Sequence, residues 1–323
     1  MESLEQLKHE VLNGKLIDKE EAMSLVDAPL EELCAAADEL RKVLCGNSFD
    51  ICTIVNGKCG RCSEDCKYCA QSAHYNAHVE SYPLLNTEEL IAHAKYNADR
   101  GVLRYSIVTS GKRLSDKEVD QVCDSIRAIR REIGIEVCIS FGLLTPENFR
   151  KVKEAGASRV HCNLEASRDF FPSICTTHTY DDKIKVLKAA KEAGLGICSG
   201  GIMGLGETME NRIDMALDLR ELGVRSVPVN FLNPIPGTPL AHQKALSFEE
   251  KRRVIAIYRF INPTASIRLA GGRGLMEDKG EGCFTAGANA AISGDMLTTA
   301  GYTIETDMKL IDKLGFRVAL QNM

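Results

Sequence analysis

The 323-residue sequence lacks the features of several broad classes of protein. It has no run of eighteen apolar residues, which excludes a transmembrane helix. It also has no excess of positive charge. The net charge of −5 and the pI near 5.9 argue against a surface that binds nucleic acid or anionic lipid. The first ten residues are acidic and amphipathic, so we expect no secretory signal and a cytoplasmic protein without membrane or nucleic-acid partners.

Cysteine, by contrast, is abundant. The chain contains thirteen cysteines within an otherwise ordinary globular composition of 44% hydrophobic and 26% charged residues. Without a secretory signal, we interpret these cysteines as reduced thiols and metal ligands rather than as a disulfide framework. The length suits one large α/β barrel or two medium-sized domains.

Four cysteines lie within eleven residues, and three of them form a Cys-x3-Cys-x2-Cys motif: Cys62, Cys66 and Cys69. Three thiolates on one short loop suit a 4Fe–4S cluster and leave its fourth iron open to bind a reactant. A zinc ribbon is a poorer match, because its two Cys-x2-Cys pairs are fifteen or more residues apart, whereas here only three residues separate them. The polar residues between these cysteines argue against a role in the hydrophobic core.

The pattern of apolar residues predicts the fold. Residues 1–48 show helical spacing, for example at Leu33, Ala37 and Leu40, and predict a helical N-terminal extension. From about residue 100, amphipathic helices ending near glycine alternate with short apolar strands. This repeat predicts an α/β fold in which residues 49–323 form a (β/α)8, TIM-type barrel. A doubly wound sheet is the alternative, and no glycine-rich dinucleotide motif follows the first predicted strand to support it.

In such barrels the functional residues lie at the carboxyl ends of the strands. Here the predicted strand ends carry polar groups and thiols: Arg104, Ser106, Cys138, Ser140, His161, Cys162, Asn163, Glu165, Cys198, Asn230 and Arg268. Cys138, Cys162 and Cys198 belong to three different strands and predict a second metal site, although any one alone is more typical of an inert buried thiol. In a regular strand Cys162 points away from the face of Asn163, so it reaches the barrel interior only if the strand ends or bulges there.

A glycine-rich turn follows Cys198 and contains Gly200, Gly201 and Ile202. It lacks the Lys-Ser/Thr pair of a nucleotide P-loop. Its backbone could still approach another cofactor closely, since glycine has no side chain. A tight structural turn is the alternative interpretation.

The cysteine loop, with Tyr68 before its last cysteine, resembles the cluster loop of the radical S-adenosylmethionine superfamily, and other motifs resemble its biotin synthase family. They occur in the same order over about residues 50–316: Glu64–Ser72, Cys198–Thr208, Val227–Asn230, Gly237–Leu240, Ile267–Leu269, Gly282–Asn289 and Leu297–Thr299. Several independent motifs in order make the resemblance specific. Another radical enzyme on the same barrel, such as a hydrogenase-cofactor maturase or an amino-acid mutase, is the alternative.

The resemblance implies a sulfurtransferase that converts dethiobiotin to biotin. It implies that S-adenosylmethionine binds the open iron of the 4Fe–4S cluster and yields a 5′-deoxyadenosyl radical, and that an auxiliary Fe–S cluster donates the sulfur. It also implies a reducing electron donor of flavodoxin or ferredoxin type and a homodimer. At matching positions Tyr68 contacts the adenine, Asn163 and Glu165 face the ribose, and Asn163 and Asn230 bind the ureido ring. Gly200, Gly201 and Ile202 complete the predicted cofactor-binding residues.

The sequence departs from the best-known members of this family at the auxiliary cluster. Those members hold a 2Fe–2S centre with three cysteines, two of which match Cys138 and Cys198, and an arginine that matches Arg268. Ser106 stands at the position of the third cysteine, and Cys162 stands where they have histidine. We therefore predict a four-iron auxiliary cluster held by Cys138, Cys162 and Cys198. Its open iron would carry the sulfide to be delivered, beside Arg268, which with Asn163 and Asn230 forms the predicted catalytic set.

Overall fold

Parallel strands close into a barrel in the computed structural model, which describes residues 3–322. The order around the barrel is β1-β2-β3-β4-β5-β7-β8-β9, and β9 pairs with β1. The strands are β1 Ser48–Lys58, β2 Arg104–Thr109, β3 Glu136–Ser140, β4 Ala157–His161, β5 Gly196–Cys198, β6 Gly201–Met203, β7 Ser226–Phe231, β8 Ser266–Leu269, β9 Ala290–Ser293 and β10 Arg317–Val318. The predicted (β/α)8 barrel is thus confirmed.

The fifth position of the barrel is a broken strand. β5 pairs with β7 at Cys198, and β6 pairs with β7 further along. At the break, a Cβ atom added to Gly200 would lie 1.8 Å from the carbonyl oxygen of Pro228. Only glycine therefore lets the chain pass so close to β7 at this point.

Helices alternate with the strands on the outside of the barrel. They are α1 Leu4–Leu12, α2 Lys19–Ser24, α3 Leu30–Cys45, α4 Thr87–Ala98, α5 Asp116–Glu132, α6 Pro146–Glu154, α7 Tyr180–Glu192, α8 Met209–Glu221, α9 Phe248–Ile261, α10 Glu281–Phe284 and α11 Ile304–Lys313. Several begin with a capping box, such as Ser115 with Glu118 at α5, which satisfies the free amide groups of the first turn. Across residues 3–322 no helix is both long enough and apolar enough to cross a membrane.

The longest strand, β1, was absent from the series of predicted strands, which began near residue 101. Most of its side chains are buried on both faces, so apolar and polar residues do not alternate along it. It also runs almost directly into the polar cysteine loop. Helices α1–α3 precede it, and α3 packs against α9.

Charged side chains and the C-terminal segment close the lower end of the barrel. Asp50 on β1 forms buried ion pairs with Arg104 and Arg268. The carbonyl oxygen of Gln321 accepts hydrogen bonds from Arg104 and Arg159. The chain after β10 thus covers the end opposite to the predicted site, and the barrel opens at the carboxyl ends of its strands.

Candidate active site

A cavity of about 350 Å³ lies within the barrel, and most of the predicted site residues line it. They are Tyr68, Cys138, Cys162, Asn163, Glu165, Cys198, Ile202, Asn230 and Arg268, joined by Cys52 and Lys183, which were not predicted. The three loop cysteines and the glycines of the turn are not among its lining residues.

The cysteine loop borders this cavity through Tyr68. Its fold is held by backbone hydrogen bonds, from Cys62 N to Gln71 O at 2.9 Å and from Cys69 N to Cys66 O at 2.9 Å. We call Cys62, Cys66 and Cys69 the loop triplet. All three are half-buried, and Cys69 interacts electrostatically with the other two. Burial raises the pKa of Cys69 to about 11.

The fourth cysteine of the motif, Cys59, is separate from the triplet. It is buried, and its backbone pairs with Tyr82 in an isolated antiparallel bridge. The groups that act on its thiol are Asn56 and Glu80 rather than other cysteines. The structure thus sets the thiol of Cys59 apart from the loop triplet.

An apolar surface adjoins the cysteine loop on the cavity side. Tyr68 and Ile202 pack against a small buried cluster formed by Ala166, Ile174, Leu205 and Leu232. Such a surface suits the flat, weakly polar face of an adenine ring. This apolar surface supports the assignment of Tyr68 and Ile202 to the proposed cofactor site.

Two asparagine side chains are fixed in the cavity by hydrogen bonds to the backbone and to Glu165. The Asn163 carbonyl accepts from Gly200 N at 3.1 Å, and its amide donates to Glu165 at 3.3 Å. The Asn230 amide donates to Gly201 O at 3.1 Å, and its carbonyl accepts from Gly271 N at 2.9 Å. Each side chain therefore keeps one donor hydrogen and one acceptor lone pair for a ligand, already oriented.

The glycine turn holds the structure together rather than facing the cavity. Gly200 lies against Pro228, and a Cβ on Gly201 would lie 2.5 Å from the side chain of Met215 and 2.7 Å from Glu165 O. Glu165 itself has a positive φ of 71° and pairs with Gly201 in an isolated bridge. Both glycines thus permit close approaches between protein segments at this turn.

A second group of thiols lies deep in the cavity. It consists of Cys138, Cys198 and, on β1, Cys52, and we call it the deep thiol group. Cys138 and Cys198 interact electrostatically with each other, and both act on Cys52. Arg268 donates a hydrogen bond to the sulfur of Cys52 at 3.2 Å. Sequence reasoning missed Cys52 because β1 was not identified. In the structure Cys52 pairs in register with Arg104 on β2, and both residues line the cavity.

The structure places Cys162, a predicted ligand of the auxiliary cluster, apart from the deep thiol group. Strand β4 ends at His161, and the amide of Cys162 donates to Cys198 O at 3.0 Å. The charged groups that act on its thiol are Lys183 and Glu165, and neither Cys138 nor Cys198 is among them. Cys162 therefore lines the cavity near Lys183 of helix α7 rather than with the deep thiol group.

The surroundings of the deep thiol group are positively charged. Arg104, Arg159 and Arg268 line the cavity beside it, and Asp50 is the buried carboxylate that pairs with two of them. Burial opposes ionisation of Cys198, yet His161 and the arginines bring its pKa down to about 6. Burial raises the pKa of Cys52 to about 12. This excess of cations suits thiolates that carry an anionic cluster.

Both thiol groups fit multi-iron clusters better than single ions. Within residues 3–322, only one set of three His, Cys, Asp or Glu residues has its ligand atoms within 4.8 Å of one another, namely Cys66, Cys175 and His178. Neither the loop triplet nor the deep thiol group is therefore compact enough for one tetrahedral ion. Thiolate sets with wider spacing are typical of Fe–S clusters, in which the ligands bind different irons.

Lys183 is a further residue of the cavity that the sequence did not indicate. It lies on α7, is half-buried, and lines the cavity near Glu165. Within the described chain its ammonium group has no hydrogen bond or ion pair. A half-buried cation without a partner is costly, so its position indicates an anionic ligand.

Two family profiles match the chain. The Radical SAM superfamily matches residues 58–219, and the Biotin and Thiamin Synthesis associated domain matches residues 228–317. The chain is 57% identical over 319 residues to a biotin synthase of Brachyspira hyodysenteriae, with 99% of this chain and 96% of that protein covered. It is 56% identical to biotin synthase 2 of Corynebacterium diphtheriae, with 100% and 98% covered.

Solved structures of low identity share the fold. Methylornithine synthase (PylB) superimposes with a TM-score of 0.84 at 19% identity, covering 97% of both chains. HydG, a maturase of the [FeFe]-hydrogenase, gives a TM-score of 0.83 at 18% identity, covering 98% of this chain and 75% of that one.

Proposed function

This chain belongs to the biotin synthase family of radical S-adenosylmethionine enzymes, and from that premise we propose how its residues carry out the reaction. The enzyme is a sulfurtransferase that converts dethiobiotin to biotin with a 4Fe–4S cluster and S-adenosylmethionine. The observation that carries the assignment to residues is one cavity bordered by a loop of three cysteines and lined at its base by three more. The hydrogenase-maturase and mutase alternatives are not favoured.

We assign the first cluster to the loop triplet and the auxiliary cluster to the deep thiol group. When bound, the first cluster supplies the electron that cleaves S-adenosylmethionine, and the auxiliary cluster supplies the sulfur. Tyr68 and Ile202 bind the adenine, and Glu165 accepts hydrogen bonds from the ribose hydroxyls. The barrel excludes water and holds the substrate carbon between the two groups of thiols.

The auxiliary cluster is proposed as a four-iron type with Cys52, Cys138 and Cys198 as protein ligands. Arg268 already donates to Cys52, to Asp50 and to the carbonyl oxygen of Ala291. Because Arg268 is engaged as a hydrogen-bond donor in the wall of the site, we do not count it as an iron ligand. The three cysteines then remain as the protein ligands. A 2Fe–2S centre needs four ligands, whereas three leave one iron of a cubane open to carry a sulfide. Arg268 can stabilise that anion.

Lys183 is proposed to bind the carboxylate of S-adenosylmethionine. Replacing it with methionine should raise the dissociation constant of S-adenosylmethionine by about 10- to 150-fold, because a charge-assisted hydrogen bond contributes about 1.5–3 kcal/mol. Lys185→Met is the control, since that lysine lies on the same helix but is 78% exposed. Equilibrium dialysis on the reconstituted protein measures both. An unchanged constant for Lys183→Met would remove this residue from the site.

Asn163 and Asn230 are proposed to bind the ureido group of dethiobiotin with the donor and acceptor that each keeps free. Asn230→Ala should weaken dethiobiotin binding by about 1–3 kcal/mol, or about 5- to 150-fold, because buried polar groups of the ligand lose a partner. The dissociation constant of S-adenosylmethionine, measured on the same sample, should not change. If dethiobiotin affinity and biotin formation both stay at the wild-type level, the ureido group binds elsewhere.

The function is tested by anaerobic iron and sulfide counting on the purified protein together with an assay for biotin. Two clusters with biotin formed from dethiobiotin support the proposal, and two clusters without biotin would favour another radical reaction.

All thirteen cysteines are free thiols, which suits a reducing compartment. We extend the proposal to a cytoplasmic homodimer that receives electrons from a flavodoxin- or ferredoxin-type donor.

A further inference from the structure

Cys66 of the loop triplet also belongs to a second, more compact group of ligands. Its sulfur lies 3.7 Å from that of Cys175, and a ring nitrogen of His178 completes a set whose ligand atoms lie within 4.8 Å of one another. Cys175 and His178 lie in the segment before α7. In the sequence, Cys175 is 109 residues from Cys66. The fold, and not a local sequence motif, brings these three residues together.

The distances suit one tetrahedral metal ion. With Zn–S bonds of about 2.3 Å, two thiolates on a single zinc lie about 3.8 Å apart, close to the 3.7 Å between Cys66 and Cys175. A thiolate and an imidazole nitrogen on the same ion lie about 3.5 Å apart. Nε2 of His178 lies 3.9 Å from the Cys175 sulfur, a few tenths of an ångström beyond this distance.

His178 is held as metal-binding histidines are. Its Nδ1 lies 2.6 Å from a carboxylate oxygen of Glu64, and both residues are buried. A carboxylate that accepts the proton of one ring nitrogen leaves the other nitrogen free as a ligand, an arrangement typical of metal sites. The Glu64 carboxylate in turn accepts from Thr177 at 2.9 Å, which fixes its orientation.

The group is accessible to an ion and has a place for a fourth ligand. Cys66 is half-buried while Cys175 is buried, so the ion enters from the side of the cysteine loop. Asp65 Oδ1 lies 3.3 Å from the Cys175 sulfur and accepts hydrogen bonds from the backbone amides of Thr176 and Thr177. Two thiols, an imidazole and a nearby carboxylate are a donor set for thiophilic divalent cations.

We propose that Cys66, Cys175 and His178 form a single-ion site that binds Zn²⁺, Co²⁺ or Fe²⁺ when the loop carries no cluster, with Glu64 positioning His178. Binding of one dication displaces the two thiol protons, which leave to solvent. Because Cys66 cannot serve both sites, the bound ion and the 4Fe–4S cluster exclude each other. That last step rests on the proposed role of Cys66 in the cluster.

The test is a titration of the full-length, cluster-free protein with Co²⁺ alone under anaerobic conditions. Tetrahedral thiolate coordination gives intense visible bands and a near-ultraviolet sulfur-to-cobalt band, and Zn²⁺ should abolish them by displacement. Cys175→Ala and His178→Gln should lower Co²⁺ affinity at least about 10-fold, and Glu64→Gln about 10- to 100-fold. Circular dichroism verifies that each variant is folded.

Three variants are the matched controls, because each removes a thiol outside the proposed site. Cys62→Ala and Cys69→Ala change the loop triplet, and Cys198→Ala changes the deep thiol group. They should keep the cobalt bands. If Cys62→Ala loses the bands while Cys175→Ala keeps them, the ion binds the loop triplet and the proposal is wrong. If Cys198→Ala alone loses them, the ion binds the deep thiol group, with the same conclusion.

A second measurement separates this inference from the proposed function. One equivalent of Zn²⁺ added before reconstitution should slow iron and sulfide uptake by the wild-type protein, and should slow it much less in Cys175→Ala. Equal slowing in both proteins would contradict the exclusion of the cluster by the ion. Absence of any cluster at the loop in zinc-free wild-type protein would instead contradict the proposed function, and the cobalt titration would still stand by itself.

Discussion

Replacing Cys66 with alanine should abolish the cleavage of S-adenosylmethionine. The loop triplet has three thiols, and a cluster that must leave one iron open cannot lose a ligand and remain stable. Formation of 5′-deoxyadenosine under reducing conditions should fall to the level of cluster-free protein, and the same result is expected for Cys62→Ala and Cys69→Ala. Iron and sulfide counts on each variant show whether the loss follows the cluster.

Cys59→Ala is the matched control for this result. Cys59 lies three residues before Cys62, but it is buried and bonded through its backbone to Tyr82, away from the triplet. The variant should keep both its iron content and its 5′-deoxyadenosine formation. Complete loss in a folded Cys59→Ala protein, or full activity in Cys66→Ala, would overturn the assignment of ligands.

The barrel could be predicted from the sequence because its helices and strands repeat with clear signals. Capping boxes mark the start of helices such as α5 and α8, and glycines with positive φ, such as Gly134 and Gly156, follow helices and precede strands. Local rules of this kind need no knowledge of tertiary packing. The cysteine loop was equally clear, since its spacing alone excludes a zinc ribbon.

The deep thiol group could not be predicted in the same way, because it depends on which strand ends meet. Because β1 is buried along most of its length, its sequence lacks the alternation of apolar and polar residues that marks a strand. Cys52 was therefore not placed on a strand. For Cys162 the two arguments from sequence disagree, since strand alternation directs it away from Asn163 whereas the count of three thiols favours it as a ligand. In the structure the third thiol of the group belongs to β1, next in the barrel to the strand that carries Ser106.

Lys183 and Cys175 were missed for a related reason. Lys183 lies in the first turn of α7 and Cys175 lies in the segment before it, where a lysine or a cysteine is unremarkable in sequence. Their significance comes from the cysteine loop that packs against them, tied by the hydrogen bond from Lys67 N to Ile174 O at 3.0 Å. Contacts between distant segments of this kind have no local sequence signal.

Replacing Cys52 with alanine should remove the auxiliary cluster and leave the first cluster in place. The physical reason is that Cys52 lies with Cys138 and Cys198 and receives the hydrogen bond from Arg268, whereas Cys162 does not. Iron content should fall from about eight to about four per chain. Biotin formation should stop, because no sulfur is supplied, while S-adenosylmethionine cleavage with reductant should persist.

Cys162→Ala distinguishes the two possible sets of ligands, since it is the matched buried thiol on the neighbouring side of the cavity. It should keep about eight irons per chain, and loss of four irons in this variant instead of in Cys52→Ala would restore the ligand set predicted from the sequence.

The type of cluster is decided in a protein that lacks the loop triplet, with Cys62, Cys66 and Cys69 all replaced by alanine. About four irons with a cubane-like Mössbauer spectrum are expected there. Two irons with a diamagnetic ferric pair would show a 2Fe–2S centre, and Arg268 would then have to leave its bonds to Asp50 and Ala291 to serve as the fourth ligand.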